Sequence, residues 1–420
     1  MQVEVQKKEF SIEGKLRAGV ISDSQLSPFA NGKVNTYQRN LIQSLKTLKK
    51  LQCNLIMFAG DICNVASKYA YRRYKDAFRL VFGEDMPLVI SVMGNHDYYG
   101  AFSARKLFEK ELGQKPYTHY VINGFHFIGV SPDCCSLYRA YSKVTDWLDK
   151  ELAEAVADAP QKPVFVITHH PPKDTVYGSD DWGDETLGAV FSKYKNVVDF
   201  AGHSHYSLMD ERSYYNGAYR VFNTQSVSYI ELERGKINGS VPPLAHVAPM
   251  GLILDFGEDN IDVLRINLLD GREQKADMRI SIPCDLGKDK TKNNIYNPDF
   301  PCEPVMPEEY GSWYREDNAT YIEFTEGADE DFVHSYLLEF SDGTTQTYFS
   351  DFYKGEEFLP RYGERKVSLR LYGKKRGTYD IKVYALDSQN NKSKSFTQIE
   401  DVEVCRKDVY KRKLAPDICY

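Results

Sequence analysis

Apolar runs of five or six residues recur through the first half of the chain, at 17–22, 54–59, 88–93, 125–130, 164–168 and 197–201. They are rich in Val, Ile, Leu and Phe, the composition of strands buried on both faces. Between the first two, Tyr37, Leu41, Leu45, Leu48 and Leu51 recur at helical spacing with Lys and Gln opposite, which predicts an amphipathic helix over 36–51. A second helix is predicted over 145–157, where Trp147, Leu148, Leu152 and Val156 turn toward a core. Buried strands alternating with amphipathic helices predict an α/β fold, with the helices packed on sheet faces.

Five of these runs end on a polar cluster. The clusters are Ser22-Asp23-Ser24-Gln25, Gly60-Asp61-Ile62-Cys63-Asn64, Gly94-Asn95-His96-Asp97, His169-His170-Pro171 and Gly202-His203-Ser204-His205, with Asn223-Thr224 trailing them. Each lies at the carboxyl end of its predicted strand, where open α/β sheets place ligands, so residues distant in sequence can meet in one crevice. Carboxylate, amide and imidazole donors of this kind hold divalent metals in pairs.

The texture changes after about residue 272. Residues 285–311 are rich in Lys, Asn, Asp and Pro without periodicity. Strand-like pieces then follow at 320–324, 336–340, 346–349, 367–371 and 379–386, separated by turn signals such as Asp342-Gly343. The expected organisation is a catalytic unit over 1–275, a linker or docking segment over 276–315, and a small antiparallel β-sandwich of immunoglobulin or fibronectin type III kind over 316–420.

Bulk properties narrow the function classes. A length of 420 residues exceeds one ordinary core, and a net charge of −7 gives no general attraction for nucleic acid. No window supplies the roughly 20 apolar residues needed to cross a bilayer, and residues 1–19 lack the apolar core of a secretory signal, so a cytoplasmic location and no membrane partner are expected. The eight cysteines show no CxxC spacing and are expected as free thiols.

The ordered set of clusters resembles the calcineurin-like metallophosphoesterases, whose segments D-x-H, G-D-x-x-(D/N), G-N-H-(D/E), H-x-P and G-H-x-H it follows across residues 17–265. The resemblance implies a β-sandwich flanked by helices and a two-metal site, with Asp61 shared between the ions, Asp23 and His205 completing one, and Asn95, His169 and His203 the other. His96 would face the substrate as an acid at the leaving oxygen, with Asp97 or Asp23 holding its ring. The activity implied is hydrolysis of a phosphomonoester or phosphodiester by a metal-bound hydroxide.

One position departs from the family. The histidine of D-x-H is Gln25, and the tyrosine that fills this gap in purple acid phosphatases is here Asn64. Gln25 then either donates its carbonyl oxygen or leaves that metal one ligand short, which favours Mn or Fe over Zn at the Gln25 site. A small phosphorylated substrate is the expected partner. The alternatives are a nuclease on the same fold and a non-catalytic binding protein on a degenerate scaffold.

Plainer readings apply to other positions. His119, His126, His246 and His334 read as surface or core residues and Cys63 as a small buried hydrophobe, while His170 divides between substrate contact and packing. Tyr98, Tyr99, Tyr177, Trp182 and Tyr206 read first as packing residues and second as a substrate-stacking lip. The acidic run 179–185 reads as a solvated loop.

Overall fold

In the computed structural model the apolar runs are strands, and their neighbours arrange them into two sheets. In chain order the strands of the first unit are β1 (Val5–Phe10), β2 (Arg17–Ile21), β3 (Leu55–Ala59), β4 (Leu88–Val92), β5 (Tyr117–Ile122), β6 (Phe125–Val130) and β7 (Val164–Ile167). They continue with β8 (Val197–Ala201), β9 (Tyr214–Asn216), β10 (Arg220–Asn223), β11 (Met250–Phe256), β12 (Asn260–Asn267) and β13 (Met278–Ser281). One sheet has the order β1-β5-β6-β7-β8-β10-β9 and the other β13-β12-β11-β2-β3-β4. The structure describes residues 3–28, 35–274, 278–288, 303–329, 332–355 and 365–405.

The two sheets face one another across aromatic side chains. Phe127, Phe165, Phe200 and Phe222, from the adjacent strands β6, β7, β8 and β10, form a ladder with ring separations of 4.9, 6.2 and 5.3 Å. Phe256 of β11, in the opposite sheet, meets Phe165 edge-on at 5.5 Å. Burying such a side chain contributes roughly 1.5–3 kcal/mol, so this ladder is a main source of cohesion between the sheets. The outer faces are covered by helices, which completes the expected flanked sandwich.

Helix α1 (Thr36–Lys50) is started by Asn35, whose side chain accepts from the Gln38 N–H, and α2 (Lys68–Phe82) by Ser67, which accepts from Ala70. Leu41, Leu45 and Leu48 of α1 and Tyr71, Tyr74 and Phe78 of α2 pack in one cluster with Ile56 and Phe58 of β3. Helix α3 (Ala104–Leu112) joins the same cluster through Phe108, while on the other sheet Leu148 and Leu152 of α4 (Thr145–Asp158) pack with Val164 and Val166 of β7. Among the described residues no helix is long and apolar enough to cross a membrane.

A polar chain fastens α4 and the edge strand β1. Lys7 of β1 pairs with Glu151 of α4 at 2.7 Å, Glu151 meets His119 Nδ1 at 2.5 Å, His119 Nε2 meets His126 Nδ1 at 2.8 Å, and His126 Nε2 meets Asp158 at 3.0 Å. His119 and His126 are thus core residues, one of the two plain readings their isolation in the sequence left open. Burial pulls His119 below its ordinary pKa despite Glu151 beside it.

The second unit contains β14 (Ser312–Glu316), β15 (Ala319–Thr325), β16 (Ser335–Phe340), β17 (Thr345–Phe349), β18 (Lys366–Arg370), β19 (Gly377–Leu386) and β20 (Thr397–Val404). They form antiparallel sheets ordered β14-β15-β18 and β17-β16-β19-β20 around Ile322, Phe324, Tyr336, Leu338, Ile381 and Val383. The unit also takes in Glu231–Ala245, which the sequence division had placed with the catalytic residues. Backbone pairing explains the difference, since Ile237 N–H donates to Thr347 and Phe349 N–H to the Asn238 side chain. Of the predicted linker 276–315, Met278–Ser281 and Ser312–Glu316 are strands, while 276–277 and 289–302 lie outside the described residues. Cys53, Cys63, Cys134, Cys135, Cys284 and Cys405 are free thiols; Cys302 and Cys419 lie outside the described residues.

Candidate metal centre

Strands β2, β3 and β4 of one sheet and β7, β8 and β10 of the other deliver the polar clusters to a common edge. The β2–β3 pairing continues beyond the strand ends, with Asp23 N–H donating to Gly60 at 3.0 Å and Gln25 N–H to Asp61 at 3.1 Å. This ladder is bent at each candidate ligand. Asp23, Gln25, Asp61, His203 and His205 all have positive φ, between 47° and 68°, a region costly for residues other than glycine. Five of the seven residues expected to hold metal are therefore held in strained backbone, which turns their side chains inward.

The motif glycines are needed for space. A Cβ on Gly94 would lie 2.1 Å from Asp61 Oδ1, one on Gly60 2.6 Å from His169 Nδ1, and one on Gly202 2.4 Å from Asp23 Oδ2. Each glycine preceding a ligand thus vacates the volume that another ligand occupies.

The carboxylates and imidazoles converge. One ligand atom each of Asp23, Asp61 and His169 lies within 4.8 Å of the others, and the same holds for His169, His170 and His203. Asp61 Oδ1 accepts from His96 N–H at 2.9 Å and faces His169 Nε2 at 3.3 Å, while Oδ2 accepts from the Gln25 amide at 2.8 Å. Asn95 Oδ1 lies 3.1 Å from His169 Nε2. His205 Nε2 faces Asp23 Oδ1 at 3.0 Å, without the alignment of a hydrogen bond.

Backbone carbonyls orient the rings. His169 Nδ1 meets the Ala59 carbonyl at 2.9 Å, His205 Nδ1 the Tyr229 carbonyl at 3.0 Å, and His96 Nδ1 the Asn64 carbonyl at 2.9 Å. A carbonyl only accepts, so each Nδ1 carries hydrogen and Nε2 is left for the site. The expectation that Asp97 or Asp23 holds the His96 ring is corrected here, because the Asn64 carbonyl does so. Asp97 instead accepts from the N–H groups of Ile62, Cys63 and Gly94 at 3.0–3.1 Å, locking two ligand loops together from below.

Electrostatics within the cluster are set by burial and by the contact of the Asp61 carboxylate with its neighbouring histidines. Burial alone would raise the Asp61 pKa, but His169, His96 and His203 hold it well below the usual carboxylate range. Burial likewise opposes protonation of His169, and the Asp61 carboxylate outweighs it, raising the ring to about 9. His170 and His203 are driven well below their ordinary value by burial first and neighbouring histidines next. Asp97, buried and beside Asp61, is pushed up to about 6.

The donor set fits divalent cations. Asp23 Oδ1, Gln25 Oε1, His203 Nε2 and both His170 ring nitrogens are buried without hydrogen-bond partners. Such groups cost roughly 1–3 kcal/mol each when left unsatisfied, and a cation between them is the partner that oxygen and nitrogen acceptors share. Gln25 is in place, with its amide nitrogen on Asp61 and its oxygen unpartnered.

Of the aromatic residues considered as a lip, Tyr177 and Tyr206 are buried against each other at 4.5 Å, and Tyr98 donates to the Pro132 carbonyl. Exposed Tyr99 packs on His96 at 4.8 Å and half-buried Trp182 on His203 at 5.7 Å. Asp184 departs from the solvated-loop expectation, being buried and accepting from Ala140, Thr186 and Leu187 backbone N–H groups. Sequence reasoning missed Tyr141, whose hydroxyl accepts from His169 and His170 N–H at 2.8 and 3.2 Å. It also missed Ser226, whose hydroxyl donates to the Asp23 carbonyl at 3.1 Å.

Residues 16–207 match the family model of the calcineurin-like phosphoesterases, and this part of the chain is a calcineurin-like phosphoesterase domain. Solved structures similar to the chain include a dimetal phosphatase from Danio rerio, with TM-score 0.45 and 13% identity over 65% of this chain and 100% of that one. GAP50, the anchor in the inner membrane complex of Plasmodium, has TM-score 0.45 and 14% identity over 64% and 89%. A predicted phosphoesterase from Streptococcus pneumoniae TIGR4 has TM-score 0.30 and 10% identity over 64% and 99%. No curated protein matches the chain.

Proposed function

We propose that this phosphoesterase domain hydrolyses a small phosphomonoester or phosphodiester with two divalent cations. The observation that carries the reading is the convergence of the loops after β2, β3, β7 and β8 on one set of buried oxygen and nitrogen atoms, several of them unpartnered. In this reading Asp61 would be shared, with Asp23, Gln25 and His205 completing one cation and Asn95, His169 and His203 the other. The cations would supply positive charge against the phosphate oxygens and activate water for in-line attack.

The chain's own residues divide the remaining work. Anchored by its amide nitrogen on Asp61 Oδ2, Gln25 keeps Oε1 unpartnered and would offer it to a cation. That side is oxygen-rich and suits Mn or Fe. His96 keeps its Nδ1 hydrogen on the Asn64 carbonyl, so in the imidazolium form the second hydrogen sits on Nε2, the atom that would deliver a proton to the leaving oxygen. Asp97 acts by position alone, fixing the loops that carry Asp61 and Asn95.

A panel of aryl phosphomonoesters and phosphodiesters with Mn²⁺, Fe²⁺, Zn²⁺ and Co²⁺, run beside Asp61→Asn, tests the proposal. Metal-dependent turnover that falls at least 100-fold in the variant is expected. Absence of hydrolysis with every metal, or equal turnover by the variant, overturns it.

A further inference from the structure

We infer that His170 is a nitrogen ligand on the Asn95 side of the centre, alongside His169 and His203. The inference builds on the two-cation reading above and adds a ligand to it. His170 is fully buried, and neither ring nitrogen has a hydrogen-bond partner. A histidine that served only as packing would leave two polar atoms unsatisfied where Phe or Leu would leave none.

The three rings are close enough to share one ion. His170 and His203 have centroids 4.2 Å apart, His169 and His170 5.0 Å, and His169 and His203 5.0 Å. With a metal–nitrogen distance of about 2.1 Å, a ligating ring has its centroid about 3.2 Å from the ion, so these separations correspond to angles of about 80° to 105°. Those are ordinary angles between ligands. One nitrogen of each ring already lies within 4.8 Å of the others, and His203 Nε2 is also unpartnered. The Tyr141 hydroxyl holds the backbone N–H groups of both 169 and 170, fixing the turn that presents adjacent rings to one place.

The consequence is chemical asymmetry. Three imidazoles join Asn95 and Asp61 on one side, while Asp23, Asp61 and Gln25 make the other oxygen-rich apart from His205. Imidazole donors suit Zn and oxygen donors suit Mn, so the two positions should discriminate between these metals.

X-ray absorption on the full wild-type chain, stripped with chelator and reloaded with one equivalent of Zn²⁺, should count three imidazoles on the ion; two would overturn the inference. Calorimetric titration of His170→Phe with Zn²⁺ and Mn²⁺ should show at least tenfold weaker Zn²⁺ binding at one position and unchanged Mn²⁺ binding at the other. A folded variant whose affinities both stay within twofold of wild type removes His170 alone from the set. A wild-type chain that binds no ion removes the centre together with this inference.

Discussion

Gly94→Ala is the sharpest perturbation of the centre, because it adds one carbon where the shared carboxylate lies. The new Cβ would be 2.1 Å from Asp61 Oδ1, 2.7 Å from its Cγ and 2.6 Å from its backbone nitrogen. Rotating the side chain cannot relieve a clash that includes the backbone, so the loops must separate. Bringing the backbone nitrogen to ordinary contact at 3.4 Å requires an opening of about 0.8 Å, several times the roughly 0.2 Å tolerance of a metal–ligand distance. Overpacking costs about 1–3 kcal/mol, and the Asp61 bonds to His96 N–H and Gln25 are weakened as well, giving an expected loss of about 3–5 kcal/mol in the metal-free protein.

Urea unfolding with chelator present measures that loss, and calorimetric titration with Mn²⁺ and Zn²⁺ measures binding. Both ions should weaken at least 100-fold, since in the proposed reading Asp61 serves both. Gly202→Ala, aimed at Asp23, should weaken chiefly one ion. Gly188→Ala, which meets only the Tyr219 hydroxyl at 3.2 Å, should leave binding intact. A folded Gly94→Ala protein holding two ions with native affinity would refute the reasoning.

Gln25→His should tighten one ion and leave the other unchanged in a metal titration, because imidazole is the stronger donor; equal affinities before and after would contradict the ligand role. Tyr141→Phe leaves the His169 and His170 N–H groups without an acceptor and should lower stability by about 2–4 kcal/mol in urea, with a drop under about 0.5 kcal/mol counting against it. His119 predicts a pH effect of defined sign. Its folded pKa lies below the ordinary 6.5, so under pH 6.5 the unfolded chain takes a proton that the folded chain refuses, and stability falls as pH drops. His119→Gln should flatten this slope relative to wild type, and parallel slopes would contradict it.

The sequence exposed those parts of the fold that repeat a simple chemical pattern. Strands such as β3 and β8 are uninterrupted apolar runs, and α1 has a leucine stripe, so each is legible alone. Strand β1 is Val5-Gln6-Lys7-Lys8-Glu9-Phe10, an edge strand whose charged side chains hide it; only pairing with β5 makes it a strand. The candidate ligands were legible because each follows a strand end in family order. Tyr141 was not, since no spacing relates it to a turn 28 residues later, and the unpartnered nitrogens of His170 are a property of its surroundings. Asp97 was misread in its contact because a carboxylate next to a histidine in sequence need not face it in space.

The transfer of Glu231–Ala245 to the second unit makes both units discontinuous in the chain. During synthesis this stretch emerges more than 100 residues before Thr347 and Phe349, the groups it binds. At translation rates of about 5–20 residues per second it waits at least several seconds for them. No single truncation point releases either body whole: a fragment ending near residue 295 retains a tongue without its mate, and one beginning there lacks it.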